Sequence, residues 1–388
     1  MRLADRTIHY QESVIREMTR LAMESDAINL SQGYPDFDPP QEVISAAINA
    51  IRSGYNQYSP TWGINELRIE LANLYSDKLG WEVTAEDNVT ITCGVTEAIN
   101  VAMLSVLNPG DEIIIIEPAH ENFVPSAVLA GALPVSVPLF GPNFDLDADR
   151  IRSMINDRTK AIMINTPHNP TGKVFEEEEL LEIRDIVVEN DLVLITDEIY
   201  DRILYDGRKH ICPGSIQGLH DRTITLGGMS KTFAITGWRL GYVVASSELM
   251  STMRPIHDYL TVCAPTPLQK AAVKAMQLPN QYYDEMLKAY HLRRKKMMSI
   301  LFEIGFVAEF PQGAYYVLAE YSNLDSECSK LDSLSFAVWL TKEVGVAVVP
   351  GEVFYPISKH GKTMVRFAFP KKQNTLDDAY DRMRNKLI

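Results

Sequence analysis

Short apolar runs alternate with helix-like stretches between about residues 45 and 275 of this chain. The runs lie at Val89 to Thr92, Glu112 to Ile116, Ala161 to Ile164, Leu192 to Thr196, Thr223 to Leu226 and Leu240 to Ala245. Continuous apolar runs that alternate with helices are typical of parallel strands buried on both faces. The pattern therefore predicts an α/β fold, in which helices flank a mostly parallel sheet.

The two ends of the chain have other patterns. Near the N-terminus, apolar residues recur at helical spacing, namely Val14, Ile15, Met18, Leu21 and Ala22. They predict an amphipathic helix, which a turn-rich stretch from Ile28 to Phe37 follows. After Pro267 the pattern predicts one long helix from about Leu268 to Leu301. Strand-like runs come next, at Tyr315 to Leu318, Val346 to Val349 and Met364 to Phe369.

These patterns divide the chain into three parts. We expect an N-terminal arm with part of a small domain at residues 1–45, a large domain at residues 46–275 and a small C-terminal domain at residues 276–388. No repeat or low-complexity linker separates them, so the domains should pack as one unit. Ligands of such α/β folds bind beyond the carboxyl ends of the strands.

The composition narrows the possible functions. The 37 Lys and Arg residues against 51 Asp and Glu residues give a formal charge of -14, which argues against a nucleic-acid-binding surface. The cysteines lie far apart, at Cys93, Cys212, Cys263 and Cys328, so we expect neither a disulfide framework nor a metal site. The N-terminus has no apolar signal-peptide core, and no run has the length of a membrane span. We therefore predict a cytoplasmic protein whose partners are small molecules or a second copy of the chain.

Several reactive side chains follow the predicted strands. Lys231 comes after the run that ends at Leu226, and a lysine buried there can lose its charge and act as a nucleophile. Asp197 closes another run, and Asn169 lies in a Pro- and Gly-rich turn after a third. Taken singly, each residue has a simpler interpretation, as a surface lysine, a helix cap or a turn residue.

A fourth run leads into a possible anion site. Gly94, Val95 and Thr96 open a predicted helix, whose free N–H groups could receive a phosphate. Arg239 supplies a cation for the same anion. The segment lacks the Walker pattern and the dinucleotide glycine pattern, so neither ATP nor NAD is indicated.

Taken together, these motifs resemble the fold-type I pyridoxal-phosphate enzymes of the class I and II aminotransferase family. The matching segments are Ser31 to Phe37, Gly94 to Ala98, Asn169 to Gly172, Asp197 to Tyr200, Ser230 to Phe233, Gly237 to Tyr242 and Arg366 to Phe367. The first of these is most similar to kynurenine, methionine and bacterial aspartate aminotransferases. The resemblance covers nearly the whole chain and implies a seven-stranded, mostly parallel sheet with a smaller α+β domain.

The resemblance implies a role for each catalytic residue. Lys231 would bind the cofactor aldehyde covalently and, once substrate displaces it, would move a proton at the substrate α carbon. Asp197 would pair with the protonated pyridine nitrogen. Asn169 and Tyr200 would hydrogen-bond the ring oxygen O3′.

The resemblance also implies how phosphate and substrate are held. Residues that would bind the phosphate are Gly94, Val95, Thr96, Ser230 and Arg239, with Tyr58 reaching over from a neighbouring subunit. The chain would then form a homodimer with shared active sites. Arg366 would bind the substrate α-carboxylate in a bidentate pair, and Asn169, Gly33 and Tyr34 would complete that subsite. Because the strand around Arg366 is apolar, we expect this arginine to be buried with an anionic partner.

Two positions depart from the family pattern. His120 stands where relatives carry an aromatic ring stacked on the cofactor, and we favour a neutral stacking imidazole over a new acid–base role. Gly228 stands where many relatives carry a phosphate-binding hydroxyl, which leaves open whether Ser230 replaces it. The side-chain pocket is not determined, and its candidates are Tyr10, Tyr34, His120, Tyr259, Thr261 and Phe354.

The leading hypothesis is an aminotransferase that moves an amino group from an L-amino acid to a 2-oxo acid, 2-oxoglutarate, by a ping-pong mechanism. The main alternative keeps the fold and the cofactor but carries out β- or γ-elimination, cyclisation or oxidation, and His120 is the feature that favours it. A regulatory protein that uses this domain as a sensor is a third possibility. It would need a DNA-binding module, for which we expect no room before residue 14.

Overall fold

The computed structural model of the protein describes residue 10 and residues 12–388. A seven-stranded sheet is its central feature, with strands β2 (Val89–Thr92), β3 (Glu112–Glu117), β4 (Leu133–Pro138), β5 (Thr159–Asn165), β6 (Val193–Asp197), β7 (Thr223–Gly228) and β8 (Gly241–Val244). Their order is β2-β8-β7-β6-β5-β3-β4. Only β8 runs antiparallel to its neighbours, so the predicted mostly parallel sheet is confirmed.

Helices bury both faces of this sheet. They are α2 (Gln41–Arg52), α3 (Asn65–Leu79), α4 (Val95–Val106), α5 (Phe123–Leu129), α6 (Ala148–Met154), α7 (Glu177–Glu189), α8 (Ser247–Thr261) and α9 (Thr266–Met276). Successive side chains of β3 point to opposite faces. Ile113 and Ile115 pack with α4, α5 and α8, whereas Ile114 and Ile116 pack with α6 and α7. Burial on both sides explains why the strands are continuous apolar runs.

A smaller α+β part follows in sequence. Its three-stranded antiparallel sheet has the order β11-β12-β9, and β1 pairs with β10 in a separate parallel pair. The strands are β1 (Ile28–Asn29), β9 (Tyr316–Glu320), β10 (Val346–Ala347), β11 (Val349–Pro350) and β12 (Met364–Ala368). The helices are α1 (Val14–Glu24), α10 (Asn280–Ile304), α11 (Ser333–Trp339), which continues as a π-helical turn, and α12 (Gln373–Leu387).

The prediction of one long helix after Pro267 is wrong. The stretch forms two helices, α9 and α10, and the second begins directly after Pro279. Proline lacks a backbone N–H and disfavours the helical conformation of the residue before it, so it separates the two helices. No helix within the described ranges is long and apolar enough to cross a membrane.

The carboxyl ends of the central strands meet at one edge of the sheet. Asn165 at the end of β5 pairs with Asp197 at the end of β6, and Asp197 pairs in turn with Leu226 of β7. Asp197 does not start a helix, since a turn follows it. Its simpler interpretation as a helix cap is therefore wrong, and its side chain belongs to the edge of the sheet where ligands bind.

Candidate active site

A cavity of about 360 Å³ opens at this edge of the sheet. Many of the residues chosen from the sequence line it: Gly33, Val95, Thr96, His120, Asn169, Asp197, Tyr200, Ser230, Lys231, Arg239 and Arg366. Sequence reasoning missed other lining residues, among them Arg16, Gln32, Glu121, Asn165 and Tyr316. The volume is within the range of small-molecule sites.

Lys231 extends into the cavity from the loop after β7. Its Nζ donates a hydrogen bond to the carbonyl oxygen of Gly33 at 3.2 Å. Burial lowers the pKa of Lys231 below its usual value, although the nearby Tyr316 and Asp197 partly oppose that shift. A lysine whose neutral form is favoured is a better nucleophile and proton acceptor.

Asp197 is buried at the end of β6, with 5% of its surface exposed. Burial raises the pKa of its carboxyl group to about 7, and the hydrogen bond from the Ile199 backbone N–H and the charge of Lys231 limit the rise. That N–H lies 3.1 Å from Oδ1. Asp197 forms no ion pair within the described part of the chain. The carboxylate is thus available to a cationic group of a ligand.

Arg366 is buried on β12, with 1% of its surface exposed. Its guanidinium donates to Asn169 Oδ1 at 2.9 Å and to the Ser31 carbonyl oxygen at 2.5 Å, while Nε has no partner. The expected burial is found, but the expected anionic partner is not supplied by residue 10 or residues 12–388. A buried guanidinium that contacts only neutral oxygens is suited to an anionic ligand.

Two hydrogen bonds of the Asn165 side chain connect Asp197 to Asn169. The Asn165 Nδ2 donates to the Asp197 carbonyl oxygen at 2.7 Å, and its Oδ1 accepts the Asn169 backbone N–H at 2.7 Å. The position of Asn169 is therefore set by more than the prolines and glycine of its turn, because the Asn165 side-chain amide holds its backbone against the end of β6. Asn169 therefore reaches Arg366 from a rigid strand end.

Tyr315 and Tyr316, at the start of β9, hold Gly33 and Tyr200 in place at the cavity. Tyr316 and Tyr200 share a hydrogen bond of 2.9 Å between their hydroxyl groups. The hydroxyl of Tyr315 donates to the Gly33 carbonyl oxygen at 2.9 Å, the same oxygen that Lys231 contacts. A Cβ at residue 33 would lie 1.9 Å from the Tyr316 oxygen, so only glycine fits there. Spacing along the chain could not indicate this contact, since Tyr315 and Gly33 are 282 residues apart.

The far end of the cavity is suited to a phosphate. Gly94 immediately precedes helix α4, has a positive φ of 78° and gives the helix no side-chain cap. A Cβ at residue 94 would lie 2.5 Å from Nη2 of Arg239. Arg239 itself has a left-handed backbone (φ 56°), and its Nη1 donates only to the Thr236 carbonyl oxygen, at 3.3 Å. Uncapped N–H groups at a helix start and an adjacent arginine form an anion-binding site.

Gly228 departs from the family pattern for a steric reason. A Cβ at this position would lie 2.6 Å from Cδ1 of Ile199 and 3.1 Å from the Leu240 carbonyl oxygen. A hydroxyl-bearing side chain would therefore require Ile199 and the backbone at Leu240 to shift. Ser230 lines the cavity two residues later and is the hydroxyl that this loop presents.

His120 is a neutral imidazole. Burial, together with the charges of Arg366 and Lys231, lowers its pKa to about 3. Its Nδ1 accepts the backbone N–H of Asn122 at 3.3 Å, which places the ring proton on Nε2. This agrees with the interpretation of His120 as a neutral ring in the cavity wall.

The remaining candidates lie away from the cavity lining. Tyr34 packs under Lys371, whose Nζ is 4.4 Å from the Tyr34 ring and donates to the Tyr34 carbonyl oxygen at 3.0 Å. Of the candidates for the side-chain pocket, only His120 lines the cavity; Tyr10, Tyr34, Tyr259, Thr261 and Phe354 do not. Tyr58 is 82% exposed. Phe354 lies behind the site, with its ring centre 5.0 Å from the Arg366 guanidinium.

One group outside the cavity offers donor atoms to a metal ion. Glu198, His210 and Cys212 place a carboxylate oxygen, an imidazole nitrogen and a thiol within 4.8 Å of one another. The imidazole Nε2 and the Glu198 Oε2 are already joined at 2.5 Å. Burial raises the pKa of the Cys212 thiol. The observed contacts are those of an imidazole–carboxylate pair beside a protonated thiol.

Comparison with known proteins agrees with this geometry. The family model for aminotransferase class I and II matches residues 25–383. The chain is 36% identical over 384 residues to a probable N-succinyldiaminopimelate aminotransferase of Mycobacterium tuberculosis, covering 96% of each chain. It is 33% identical over 397 residues to human kynurenine–oxoglutarate transaminase 1, covering 95% of this chain and 94% of that one.

Solved structures have the same fold. The N-succinyldiaminopimelate aminotransferase of Mycobacterium tuberculosis superimposes with a TM-score of 0.94 at 36% identity, over 98% of this chain and 99% of that one. Aspartate aminotransferase of Thermus thermophilus with maleate gives a TM-score of 0.90 at 33% identity, over 99% of this chain and 100% of that one. The protein is an enzyme that transfers amino groups between amino acids and oxo acids, and the chain belongs to the aminotransferase class I and II family.

Proposed function

We propose that this aminotransferase binds pyridoxal 5′-phosphate in the cavity and transfers the amino group of an L-amino acid to 2-oxoglutarate in a ping-pong cycle. The observation that carries the proposal is the convergence of Lys231, Asp197 and Arg366 on one cavity. These residues supply an amine that readily loses its charge, a carboxyl group without a cation and a guanidinium without an anion.

The residues present fit the cofactor. The start of α4, with Arg239 beside it, suits the phosphate, and the buried Asp197 carboxyl suits a protonated ring nitrogen. Pyridoxal phosphate supplies an aldehyde that condenses with amines and a ring that withdraws electrons from the neighbouring carbon. Gly94, Val95, Thr96, Ser230 and Arg239 would hold the phosphate.

Each side chain near the reacting atoms has a distinct task. Lys231 would hold the cofactor aldehyde and, when free, would move a proton at the substrate α carbon. Asp197 would pair with the ring nitrogen and favour its protonated form. Tyr200 and Asn169 would hydrogen-bond the ring oxygen, and His120 would contribute a neutral imidazole to the wall of the site.

Arg366 would orient the substrate by its α-carboxylate. Its unpartnered Nε and its two neutral contacts leave the guanidinium able to form a bidentate pair. The backbone at Gly33 would cover that carboxylate, with the neighbouring Tyr34 held in place by Lys371. Holding the α carbon beside Lys231 contributes to the rate by orientation.

The alternative reactions depended on an acid–base role for His120, and the structure does not favour that role. His120 was the feature that kept elimination, cyclisation or oxidation open, yet its pKa of about 3 makes it neutral across the working pH range. The named relatives transfer amino groups. We therefore retain transamination as the proposed reaction.

We also propose a cytoplasmic homodimer in which Tyr58 reaches the phosphate of the partner subunit. Tyr58 is 82% exposed, and the segment around it is fixed, because Thr266 donates to the Gln57 carbonyl oxygen at 2.7 Å and Gln269 to the Ser59 hydroxyl at 3.1 Å. A second aromatic residue, Tyr259, is 93% exposed. Ordered and exposed aromatic residues are typical of interfaces. The free thiols of all four cysteines suit a reducing compartment.

The division into residues 1–45, 46–275 and 276–388 remains a proposal. Pairing of β1 with β10 supports the assignment of the N-terminal segment to the small domain. Residues 1–9 and residue 11 of that segment lie outside the described residues.

The experiment that tests the proposed reaction separates its two halves. Holoenzyme is mixed with single L-amino acids in the absence of any oxo acid, and the products are measured by mass spectrometry. One 2-oxo acid per active site should form without ammonia, and later addition of 2-oxoglutarate should yield glutamate.

Two variants complete this test. Lys231→Ala should slow both half-reactions by about 10²–10⁴-fold, because the proton-transfer group is lost. Lys330→Ala is the matched control, since Lys330 pairs on the surface with Glu327. Continuous release of ammonia, or full activity of Lys231→Ala, would contradict the proposal.

A further inference from the structure

The cavity is lined by a cation that the proposed reaction does not use. Arg16 lies in the first turn of α1 and lines the cavity with Ile15, Gln32 and Glu121. The other cations of the lining are Lys231, Arg239 and Arg366, and each has a task in the proposed site. Arg16 was not among the residues chosen from the sequence.

Arg16 has no partner within the part of the chain that the structure describes. The guanidinium forms neither a hydrogen bond nor an ion pair there, and the backbone N–H of Arg16 lies 3.0 Å from the Ser13 carbonyl oxygen and 3.3 Å from the Ser13 hydroxyl. Arg20, one turn further along α1, differs because both its terminal nitrogens donate to the Glu12 carboxylate. The Glu12 carboxylate, which lies just before α1, is therefore already paired with Arg20.

The first turn of α1 is fixed at the cavity. The Ser13 hydroxyl caps the helix and also lies 2.7 Å from the Glu121 carboxylate, which is next to His120. The neighbouring Ile15 is buried in the cluster that contains Val349 and Phe354. Arg16 thus projects from an anchored turn, so its position at the cavity is set by the fold.

We propose that Arg16 binds the side-chain carboxylate of dicarboxylic substrates, the 2-oxo dicarboxylic acids and their amino acid counterparts. The inference rests on the proposed function, in which Arg366 holds the α-carboxylate. A second cation in the same cavity would bind the second carboxylate, and Arg16 is the one left for it among the cations that this chain contributes to the described lining. Glu121 lines the same region and would repel a second carboxylate, so the guanidinium of Arg16 is what makes a dianionic substrate acceptable there.

The test compares a dicarboxylic and a monocarboxylic acceptor. The kcat/KM of holoenzyme for 2-oxoglutarate and for pyruvate is measured with one common amino donor, in the wild type and in Arg16→Ala. Losing one charge-assisted pair should lower kcat/KM for 2-oxoglutarate about 10- to 100-fold and leave the value for pyruvate within about threefold. Arg16→Lys should recover part of the loss.

Arg152→Ala is the matched control, because it removes a surface arginine of α6 that already pairs with Glu182 and does not line the cavity. It should leave both kcat/KM values unchanged. Equal losses on the two acceptors in Arg16→Ala, or no loss on either, would overturn the assignment of Arg16. A wild-type enzyme that transfers no amino group to either acceptor would instead refute the proposed function.

Discussion

At the scale of single residues, Asp197 is a buried carboxyl group that no cation of the described chain pairs with, which suits it to a cationic ligand. Its carboxyl group is buried beside Asn165 and Ile199, and its pKa is raised to about 7 because burial disfavours the charged form. The charge of Lys231 opposes this rise, but that charge is itself disfavoured by burial. Burial of an unpaired carboxyl is costly, and an opposite charge removes that cost.

We predict that Asp197 makes the cofactor-free protein less stable as pH rises. In the unfolded chain Asp197 ionises near its ordinary pKa of 3.8, whereas in the folded chain it stays neutral up to about 7. Between these values the unfolded state gains free energy from ionisation and the folded state does not. The free energy of unfolding therefore falls with rising pH across this window, by about 4 kcal/mol at most, and is then constant.

Asp197→Asn removes this titration and keeps the shape of the side chain. Cofactor-free Asp197→Asn should match the wild type near pH 4 and exceed its stability at pH 8, measured by urea unfolding at both values. With the cofactor bound the order should reverse, because the carboxylate then has its cation. Identical pH profiles for the two cofactor-free proteins would show that Asp197 is not held neutral.

Residues at strand ends could be identified from the sequence, and residues brought in from distant segments could not. Lys231, Asp197 and Asn169 follow apolar runs, where ligands of α/β sheets bind, and the family motifs around them then selected them over simpler interpretations. Arg16 and Tyr316 reach the same cavity from α1 and β9. Nothing in their local sequence differs from a surface arginine or a core tyrosine.

At the scale of elements, the segment from Gln32 to Tyr34 acts as a strap across the site. The Gly33 carbonyl oxygen accepts hydrogen bonds from Lys231 and Tyr315, and Lys371 holds the carbonyl oxygen of Tyr34. The residue before β9 and the loop after β12 thereby fix the segment that the Lys231 amine contacts. The strap couples the position of Lys231 to the packing of Tyr316 against Gly33.

We predict that Gly33→Ala impairs catalysis without unfolding the protein. The new Cβ would lie 1.9 Å from the Tyr316 oxygen, so the strap or the tyrosine must shift. A displacement of about 1 Å near Lys231 should lower kcat/KM by about 10²-fold. Steady-state kinetics and thermal unfolding are measured together, so that lost activity is distinguished from lost folded protein.

Gly237→Ala is the control for this substitution. A Cβ at residue 237 meets no atom of the chain within 4 Å, so kcat/KM should stay close to the wild-type value. The strap would have no part in positioning Lys231 if Gly33→Ala were as active as Gly237→Ala.

The elements themselves were predictable to different degrees. The strands of the large sheet were found because both of their faces are buried, which makes each of them a continuous apolar run. The helical stretch after Pro267 was predicted as one element because its apolar spacing continues through Pro279. The spacing of apolar residues indicates which face of a helix is buried. The break between α9 and α10 depends instead on the backbone of a single proline, Pro279.

At the scale of the whole molecule, the proposed homodimer would explain why Tyr58 is exposed. It belongs to a segment that is tied down by Thr266 and Gln269, yet its own ring is 82% exposed. The cavity lining drawn from one chain does not include it. If Tyr58 contacts the partner's phosphate, each active site needs both subunits.

This arrangement predicts complementation between two defective subunits. Tyr58→Ala should weaken cofactor binding about 10- to 100-fold, because a hydrogen bond to a charged phosphate is lost. Lys231→Ala lacks the catalytic amine. In a hybrid dimer of the two variants, one site carries both defects, whereas the other combines an intact Lys231 with an intact Tyr58 from the opposite subunit.

The hybrid, purified through two different affinity tags, should therefore recover about half of the wild-type activity at limiting cofactor, with wild-type cofactor affinity in its active half. If Tyr58 served its own subunit, every site of the hybrid would carry one defect, and its cofactor affinity would equal that of Tyr58→Ala. Sedimentation of the wild type at twice the chain mass is needed as well, because complementation requires a dimer. If a monomeric enzyme had full activity, Tyr58 could not be contacting the phosphate of a partner subunit, and the shared-site proposal would be wrong.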